Sequence, residues 1–336
     1  MEVNAISRYT ALAMQVSCLA INGCKDRDEA LTQMSQGIEQ LDQQIFAAKK
    51  FIGPDLKLVV VPEYFMTGFP MRESMREWLE KACINPSDKI FQRIGDICIS
   101  HGIYFSGNYY EAAQDFEGLF FQSSFIMDDQ GDMILNYRRL NSMYSPTPHD
   151  VLHAYVEKHG WDALFPVVDT PLGRLACVAS EEILYPEVSR CLMMQGAEVL
   201  LHSSSEIGSP QLTRKNIGKR ARAIENMAYV VSANSAGIAN IPILENSTDG
   251  GSQIVHFDGH ILAEASPGES IVANAPINIS ALRQHRQTVS MKNYNARQRF
   301  ELYAPIYAKF SHYPANSMKD GFIEKSDFIK LQQETI

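Results

Sequence analysis

The run Leu56-Lys57-Leu58-Val59-Val60-Val61 constrains the fold more than any other stretch of the chain. Apart from Lys57 it is apolar, it is rich in β-branched residues and it lacks a polar alternation, so it reads as a strand buried on both faces. Such a strand requires a sheet covered by helices. The residues ahead of it supply one: Leu31, Met34, Ile38, Leu41, Ile45 and Ala48 recur at 3-4-3-4-3 spacing, a single apolar stripe. Asp26 or Asp28 caps the start of this helix, and Gly53-Pro54 stops it.

The alternation continues along the chain. Residues 9–21 read as a buried strand, and further strands are predicted over 103–109, 118–127, 133–139, 165–169, 175–179, 197–202 and 228–234. Helices are predicted over about 74–83, 87–101, 186–195 and 210–227, with a hairpin at 252–265 around Asp258-Gly259. Residues 140–164 carry Pro146, Pro148 and Gly160 and read as a long irregular connection of the kind that forms lids or binding loops. The tail from 281 reads as helical, then irregular. No short repeat or low-complexity linker divides the chain, which predicts one α/β domain over 1–305 and a C-terminal extension over 306–336.

Composition narrows the function classes. Of 336 residues, 45% are hydrophobic, enough for a large core. The net charge of −9 and the lack of a Lys/Arg-rich run argue against nucleic acid or an anionic membrane as partner. No segment approaches the ~18 apolar residues of a membrane span. Cys18, Cys24, Cys83, Cys98, Cys177 and Cys191 form no C-x-x-C pair and no zinc spacing. They read as reduced thiols without a zinc site, and the protein is expected in the cytoplasm. His149, His153 and His159 are too loosely spaced to change that reading.

Three segments could carry chemistry. Glu63 follows LVVVP, where buried strands end and ligands of α/β sheets bind, and a desolvated carboxylate there could act as a base. In the segment from Gly173 to Arg190, a strand runs into a tight turn at Ser180 and then a helix whose first residue is Pro186. A turn of that kind can hold an oxyanion at a helix N-terminus, although no G-x-S-x-G is present. Arg138 and Arg139 end the third segment. On a strand they point to opposite faces, so one of them turns inward.

Together these segments resemble the nitrilase superfamily of carbon–nitrogen hydrolases over about residues 9–305. Pro62-Glu63-Tyr64-Phe65-Met66-Thr67-Gly68 is similar to the family's base motif, and Tyr137-Arg138-Arg139 to its lysine motif. Tyr185-Pro186-Glu187-Val188-Ser189-Arg190 with Gly196-Ala197-Glu198 looks like the stretch after its nucleophile. Arg220-Ala221-Arg222-Ala223-Ile224-Glu225-Asn226, then Gly251-Ser252-Gln253-Ile254-Val255 and Arg299-Phe300-Glu301-Leu302-Tyr303, complete the order. The resemblance implies a four-layer αββα sandwich, a homodimer or larger homo-oligomer, and a Glu–Lys–Cys site without cofactor.

Counting from Pro186 places Ser180 where the family has cysteine, and counting from Tyr137 places Arg139 where it has lysine. Cys177 lies at an odd offset from Ser180, hence on the opposite strand face, and reads as a core residue. Two departures in one triad point to natural divergence rather than an engineered trap. A serine hydroxyl is harder to deprotonate than a thiol, and a guanidinium, with a pKa above ~12, does not relay protons. The substrate-binding candidates are Glu157, as the family's second glutamate (Asp150 is the alternative), with Glu181, Glu182, Tyr185, Ser204 and Ser205; Glu206 lies at the same rim. Arg222, Glu225 and Asn226 read as structural. The expected function is hydrolysis of a small amide, carbamoyl compound or nitrile through Ser180, Glu63 and Arg139. The alternatives are a catalytically silent binding or regulatory protein, or non-hydrolytic chemistry in the same pocket.

Overall fold

In the computed structural model, Leu56–Val60 is paired on both sides and covered on both faces, as its composition requires. The structure describes residues 6–207, 209, 212–248, 250–318 and 324–336. The first half of the chain contains β1 (Arg8–Ala13), β2 (Ser17–Leu19), α1 (Arg27–Ile52), β3 (Leu56–Val60), α2 (Met75–Ala82), α3 (Lys89–His101), β4 (Tyr104–Ala112), β5 (Phe120–Met127), β6 (Met133–Arg138) and α4 (Leu152–His159). The second half contains β7 (Val168–Thr170), β8 (Gly173–Ala179), α5 (Pro186–Met194), β9 (Val199–Ser204), α6 (Arg214–Asn226), β10 (Tyr229–Asn234), β11 (Gly237–Ala239), β12 (Gln253–Val255), β13 (Ile261–Glu264) and β14 (Asn274–Asn278). It ends in α7 (Ile279–Gln287), α8 (Phe300–Tyr307) and α9 (Lys325–Thr335).

Two six-stranded sheets form, in the orders β14-β1-β3-β4-β5-β6 and β13-β12-β10-β9-β8-β7; β11 and β2 form a small parallel pair. In each large sheet the central strands are parallel and joined by helical crossovers, with antiparallel strands at the edges. Leu58, Val60, Cys177, Ala179, Val199 and Leu201 pack between the sheets. Val59 and the α1 stripe form a core on one outer face, and Val178, Leu192 and Ala223 form one on the other. The layers therefore run helix, sheet, sheet, helix, the αββα sandwich of the sequence reading.

Asp26 caps α1 by accepting from the Glu29 N–H, and Gly53 closes it at φ 109°, a conformation open to glycine. Several boundaries differ from expectation. Residues 9–21 form two strands, because the Gln15 side chain binds the Ser266 and Gly268 carbonyls and breaks the run. Residues 140–164 are not irregular: Pro148 opens a 3-10 turn capped by Thr147, and α4 follows. β9 starts two residues later than predicted because Gly196, at φ 101°, still belongs to the turn after α5. The predicted helix start at 210 lies outside the described residues; α6 is capped by Thr213. β14 escaped prediction because Pro276 lies within it, which an edge strand tolerates. The tail contains α9, whose Phe328 is buried.

Candidate active site

The ends of β3, β6, β8 and β9 converge. Ser203 Oγ donates to the Val61 carbonyl at 2.8 Å, and the Glu63 N–H donates to the Ser204 carbonyl at 3.2 Å, so the two sheets are stitched together where Glu63 emerges. Ser180 follows the last residue of β8 and holds φ 48°, in the left-handed region that side chains seldom adopt. Its carbonyl is pinned by His202 Nε2 at 2.7 Å, while His202 Nδ1 contacts Ser232 Oγ at 2.8 Å. Nε2 must donate to the carbonyl, and in the neutral ring that burial favours Nδ1 accepts from the Ser232 hydroxyl. Burial pushes the His202 pKa well down, and the Lys219 and Lys215 charges push the same way.

The two arginines diverge as strand geometry requires. Arg138 forms ion pairs with Glu111 and Asp115. Arg139 turns into the site, where its Nη1 donates to Gln122 Oε1 at 2.5 Å and to Glu63 Oε1 at 3.3 Å. Its Nη2 donates to Glu181 Oε1 at 2.5 Å, and Nε to the Asn141 carbonyl at 2.6 Å. Gln122 Nε2 also donates to Glu63 Oε1 at 2.6 Å. Burial works against the Arg139 charge, but Glu63 and Glu181 outweigh it and hold the guanidinium charged above its ordinary range.

Glu182 is fully buried and acts as a clamp. Its carboxylate accepts from the Leu140 and Asn141 N–H groups at 2.8 and 3.0 Å, from Tyr137 Oη at 2.7 Å and from the Ala179 N–H at 3.2 Å. The end of β6, with Arg139, is thereby tied to the end of β8, with Ser180. Burial raises the Glu182 pKa, opposed by Arg139 and these donors.

A cavity of about 460 Å³ opens on this cluster. Ser180, Arg139, Glu181, Glu206 and Lys215 line its polar side, and Tyr64, Phe69, Tyr110 and Tyr144 form its aromatic wall. Lys215, near the start of α6, places Nζ 3.2 Å from Ser180 Oγ and 3.1 Å from Ser204 Oγ. Burial lowers its pKa; Glu63 and Glu206 oppose that, and Arg139 adds to it. The sequence reading did not single out Lys215. Lys325 of α9 also reaches the cavity, where its Nζ sits 4.4 Å from the Tyr144 ring centroid.

The remaining sequence candidates separate. Ser204 is buried beneath Lys215, whereas Ser205 bonds Ser235 at 2.9 Å away from the cavity lining. Tyr185 lines a neighbouring cavity of about 820 Å³, which shares Ser142, Met143 and Glu181 with the first. Glu157 is exposed on α4 and lines neither cavity. Asp150 is a buried cap for Thr147 and accepts from Ser317 Oγ. Cys177 is buried between the sheets, where burial pushes its thiol up to about 12. Arg222 pairs with Glu225, and Asn226 donates to the Arg222 carbonyl. Among the described residues, His256, Asp258 and His260 offer three possible metal-ligand atoms within 4.8 Å of one another. They lie in the turn between β12 and β13, and the Asp258 carboxylate is already bonded to both rings.

Two stacked sheets between helical layers define an αββα sandwich, with a buried glutamate, a cation and a hydroxyl at converging strand ends. The chain belongs to the carbon-nitrogen hydrolase family, whose model matches residues 15–287, and so to the nitrilase superfamily. It is similar to a formamidase of Bacillus thuringiensis (strain Al Hakam), 27% identical over 315 residues, covering 92% of this chain and 89% of that protein. A formamidase of Bacillus cereus (strain Q1) is 26% identical over 341 residues, covering 99% and 95%. The fold is shared with the carbon-nitrogen hydrolase of Helicobacter pylori G27 (TM-score 0.68, 20% identity, 89% of this chain and 98% of that one). It is also shared with Nit3 of Saccharomyces cerevisiae (TM-score 0.66, 20% identity, 85% and 96%).

Proposed function

We propose that this protein hydrolyses the C–N bond of a small amide by acyl transfer through Ser180. The observation that carries the reading is the placement of Ser180. It is held at φ 48° on the wall of a cavity of about 460 Å³, with Arg139 and Lys215 beside it. A side chain lifted by a strained turn at a strand end is presented to a bound acyl carbon. Arg139 supplies positive charge for the tetrahedral oxyanion, and Glu63 and Glu181 keep that charge in place. Water then cleaves the Ser180 ester. The cavity lies within the usual size range of small-molecule sites, and its aromatic wall suits a substrate with an apolar body.

The unit over 1–305 carries the Glu63–Arg139–Ser180 cluster in this reading, and from the extension over 306–336 α9 reaches the cavity rim. Gln332 Nε2 bonds the Met143 carbonyl at 2.8 Å, and Lys325 lines the wall. α8 exposes Leu302, Tyr303, Ile306 and Tyr307 without burying a residue, which supports assembly of this chain into a homo-oligomer. All six cysteines are free, which supports a reducing, cytoplasmic setting.

A second reading, a silent binding protein, draws on the engagement of Arg139, whose four hydrogen bonds leave one of its five N–H groups for an oxyanion. One assay separates the readings: ammonia release from formamide, acetamide, benzamide and simple carbamoyl compounds by wild type and Ser180→Ala. Steady release that Ser180→Ala abolishes supports hydrolysis. Thermal stabilisation by these compounds without product supports the silent reading, and full activity in Ser180→Ala removes Ser180 from the mechanism.

A further inference from the structure

We propose that Lys215 is the general base that activates Ser180, forming a Ser–Lys pair in which the lysine comes from α6. The proposal rests on the reading of Ser180 as nucleophile given above. A serine hydroxyl needs a proton acceptor within hydrogen-bond reach. Lys215 Nζ meets that condition at 3.2 Å, and its second contact, 3.1 Å to Ser204 Oγ, fixes the amine over the hydroxyl. Arg139, Glu63 and His202 make other side-chain contacts, and none of the three hydrogen-bonds Ser180 Oγ. Arg139 does not give up its proton. Glu63 Oε1 is taken by Gln122 Nε2 at 2.6 Å and by Arg139. His202 spends Nε2 on the Ser180 carbonyl and Nδ1 on Ser232.

The position of Lys215 is built into the fold. Thr213 caps α6 by accepting from the Asn216 N–H, which fixes the turn that carries Lys215. One turn on, Gly218 packs against the segment that follows Ser180; a Cβ there would meet the Ile183 carbonyl oxygen at 3.0 Å. Helix and nucleophile turn are thus held in close register. The charges facing Lys215 are Glu63 after β3, Glu206 after β9, Glu181 after β8 and Arg139 after β6, with Lys219 one turn along α6. Burial and Arg139 favour the neutral amine, whereas Glu63, Glu206 and Glu181 favour the ammonium that forms when it takes a proton.

The steps balance. The lone pair of neutral Lys215 takes the Ser180 hydroxyl proton as Oγ bonds to the amide carbon, and the carbonyl π pair moves onto oxygen. The oxyanion collapses, the C–N bond breaks, and the Lys215 ammonium gives its proton to the departing nitrogen. Water then repeats the sequence on the ester. Lys215 takes a water proton, hydroxide oxygen adds to the carbon, and collapse expels Ser180 Oγ, which recovers its proton from Lys215. The sum is amide plus water giving carboxylic acid plus amine.

The test uses the full chain and p-nitrophenyl acetate as acylating probe. Wild type, Lys215→Met, Lys215→Arg and Ser180→Ala are compared by nitrophenolate release from neutral to alkaline pH and by intact-mass detection of the acetyl adduct, with melting curves as the folding control. The expected result is a Ser180 adduct whose rate of formation climbs to a plateau with a single ionisation. Lys215→Met should slow acylation about 10²- to 10⁴-fold and erase that ionisation. Lys215→Arg, which keeps the charge, should not restore it. Wild-type rate and pH profile in Lys215→Met would overturn the proposal while leaving Ser180 as nucleophile. An adduct that survives Ser180→Ala, or no adduct in wild type, would remove the Ser180 reading and this proposal with it. If Lys215→Met does not fold, a wild-type acylation rate that is flat with pH overturns the proposal.

Discussion

Replacing Arg139 by Met tests whether the Glu63–Arg139 contact is a buried ion pair of the kind the structure describes. The exposures of the two side chains are 7% and 1%, so solvent screens the pair little. Removing one partner of a buried pair leaves a carboxylate without compensation and costs about 3–5 kcal/mol. The second partner, Glu181, is 31% exposed, so its contact adds only about 0–1 kcal/mol. Arg139→Met should therefore lose about 4 kcal/mol, roughly an 8–16 °C fall in Tm at 2–4 °C per kcal/mol. Glu63→Gln should lose less, about 1–3 kcal/mol, because Gln122 and Glu181 still hold the arginine. In the double variant no orphaned buried carboxylate remains, and its loss should fall about 2 kcal/mol short of the sum of the singles. Urea unfolding followed by circular dichroism gives all four stabilities by linear extrapolation, with an unchanged denaturant slope showing that the unfolded ensemble is the same. Losses that add to within about 0.5 kcal/mol would mean the two groups are not coupled, and the ion-pair account of the site would fall.

Two further outcomes follow from local geometry. At φ 48°, Ser180→Gly relieves a strain that Ser180→Ala retains, so the glycine variant should be the more stable of the two by about 1 kcal/mol in the same unfolding assay, with neither acylated. The buried Lys219 amine, bonded to Asn216 Oδ1 and the Gly251 carbonyl, has its pKa lowered by burial to about 8 from 10.5. Between those values the unfolded chain binds the proton and the folded protein does not, so stability rises with pH; below about 8 both states are protonated and the full cost of the buried charge applies. Lys219→Met should abolish that rise, worth at most about 3 kcal/mol, and equal slopes in variant and wild type would refute it.

Many of the strands and helices could be read from local pattern, whereas their stacking as a sandwich came from the family resemblance. The stripe from Met34 to Ala48, the Leu56–Val61 run and the Pro186 helix start each satisfy a local rule that the tertiary structure had no reason to override. The misses have separate causes, and Pro276 is only part of that for β14. β14 depends on pairing with β1 across more than half the chain, and no pattern within Asn274–Asn278 announces that pairing. α4 was concealed by the prolines ahead of it, although Pro148 in fact opens the 3-10 turn that leads into it. At the candidate site, motif counting singled out Glu63, Arg139 and Ser180, which the fold brings to neighbouring strand ends. It read Glu182 as a pocket residue because adjacency to Ser180 does not reveal that its carboxylate is consumed by backbone N–H groups of the next segment. Glu157 lies exposed on α4 and lines neither cavity, since a position between two motifs says nothing about the face of a helix it occupies.

Lys215 was illegible for a deeper reason, and that reason bears on the two departures from the family pattern. A lysine in the first turn of an amphipathic helix normally reads as a solvated charge. Here the close approach of Gly218 to Ile183 brings that turn over Ser180. If Lys215 takes the Ser180 proton as proposed, the site needs no proton carrier at position 139. A guanidinium there binds Gln122, Glu63 and Glu181 at once, which a single ammonium does less well. A thiol would have less need of a neighbouring base, since it ionises readily, whereas a hydroxyl requires one within reach. Serine at 180, arginine at 139 and lysine at 215 are therefore mutually consistent. Division of labour between the two cations, one fixed in charge and one titrating, makes a definite demand. Arg139→Lys should leave the ionisation seen in Ser180 acylation in place, because it belongs to α6, and should slow acylation only through weaker oxyanion stabilisation, about 10- to 10²-fold. If that substitution instead creates a second ionisation or restores the rate of Lys215→Met, position 139 still handles the proton and the division of labour is wrong.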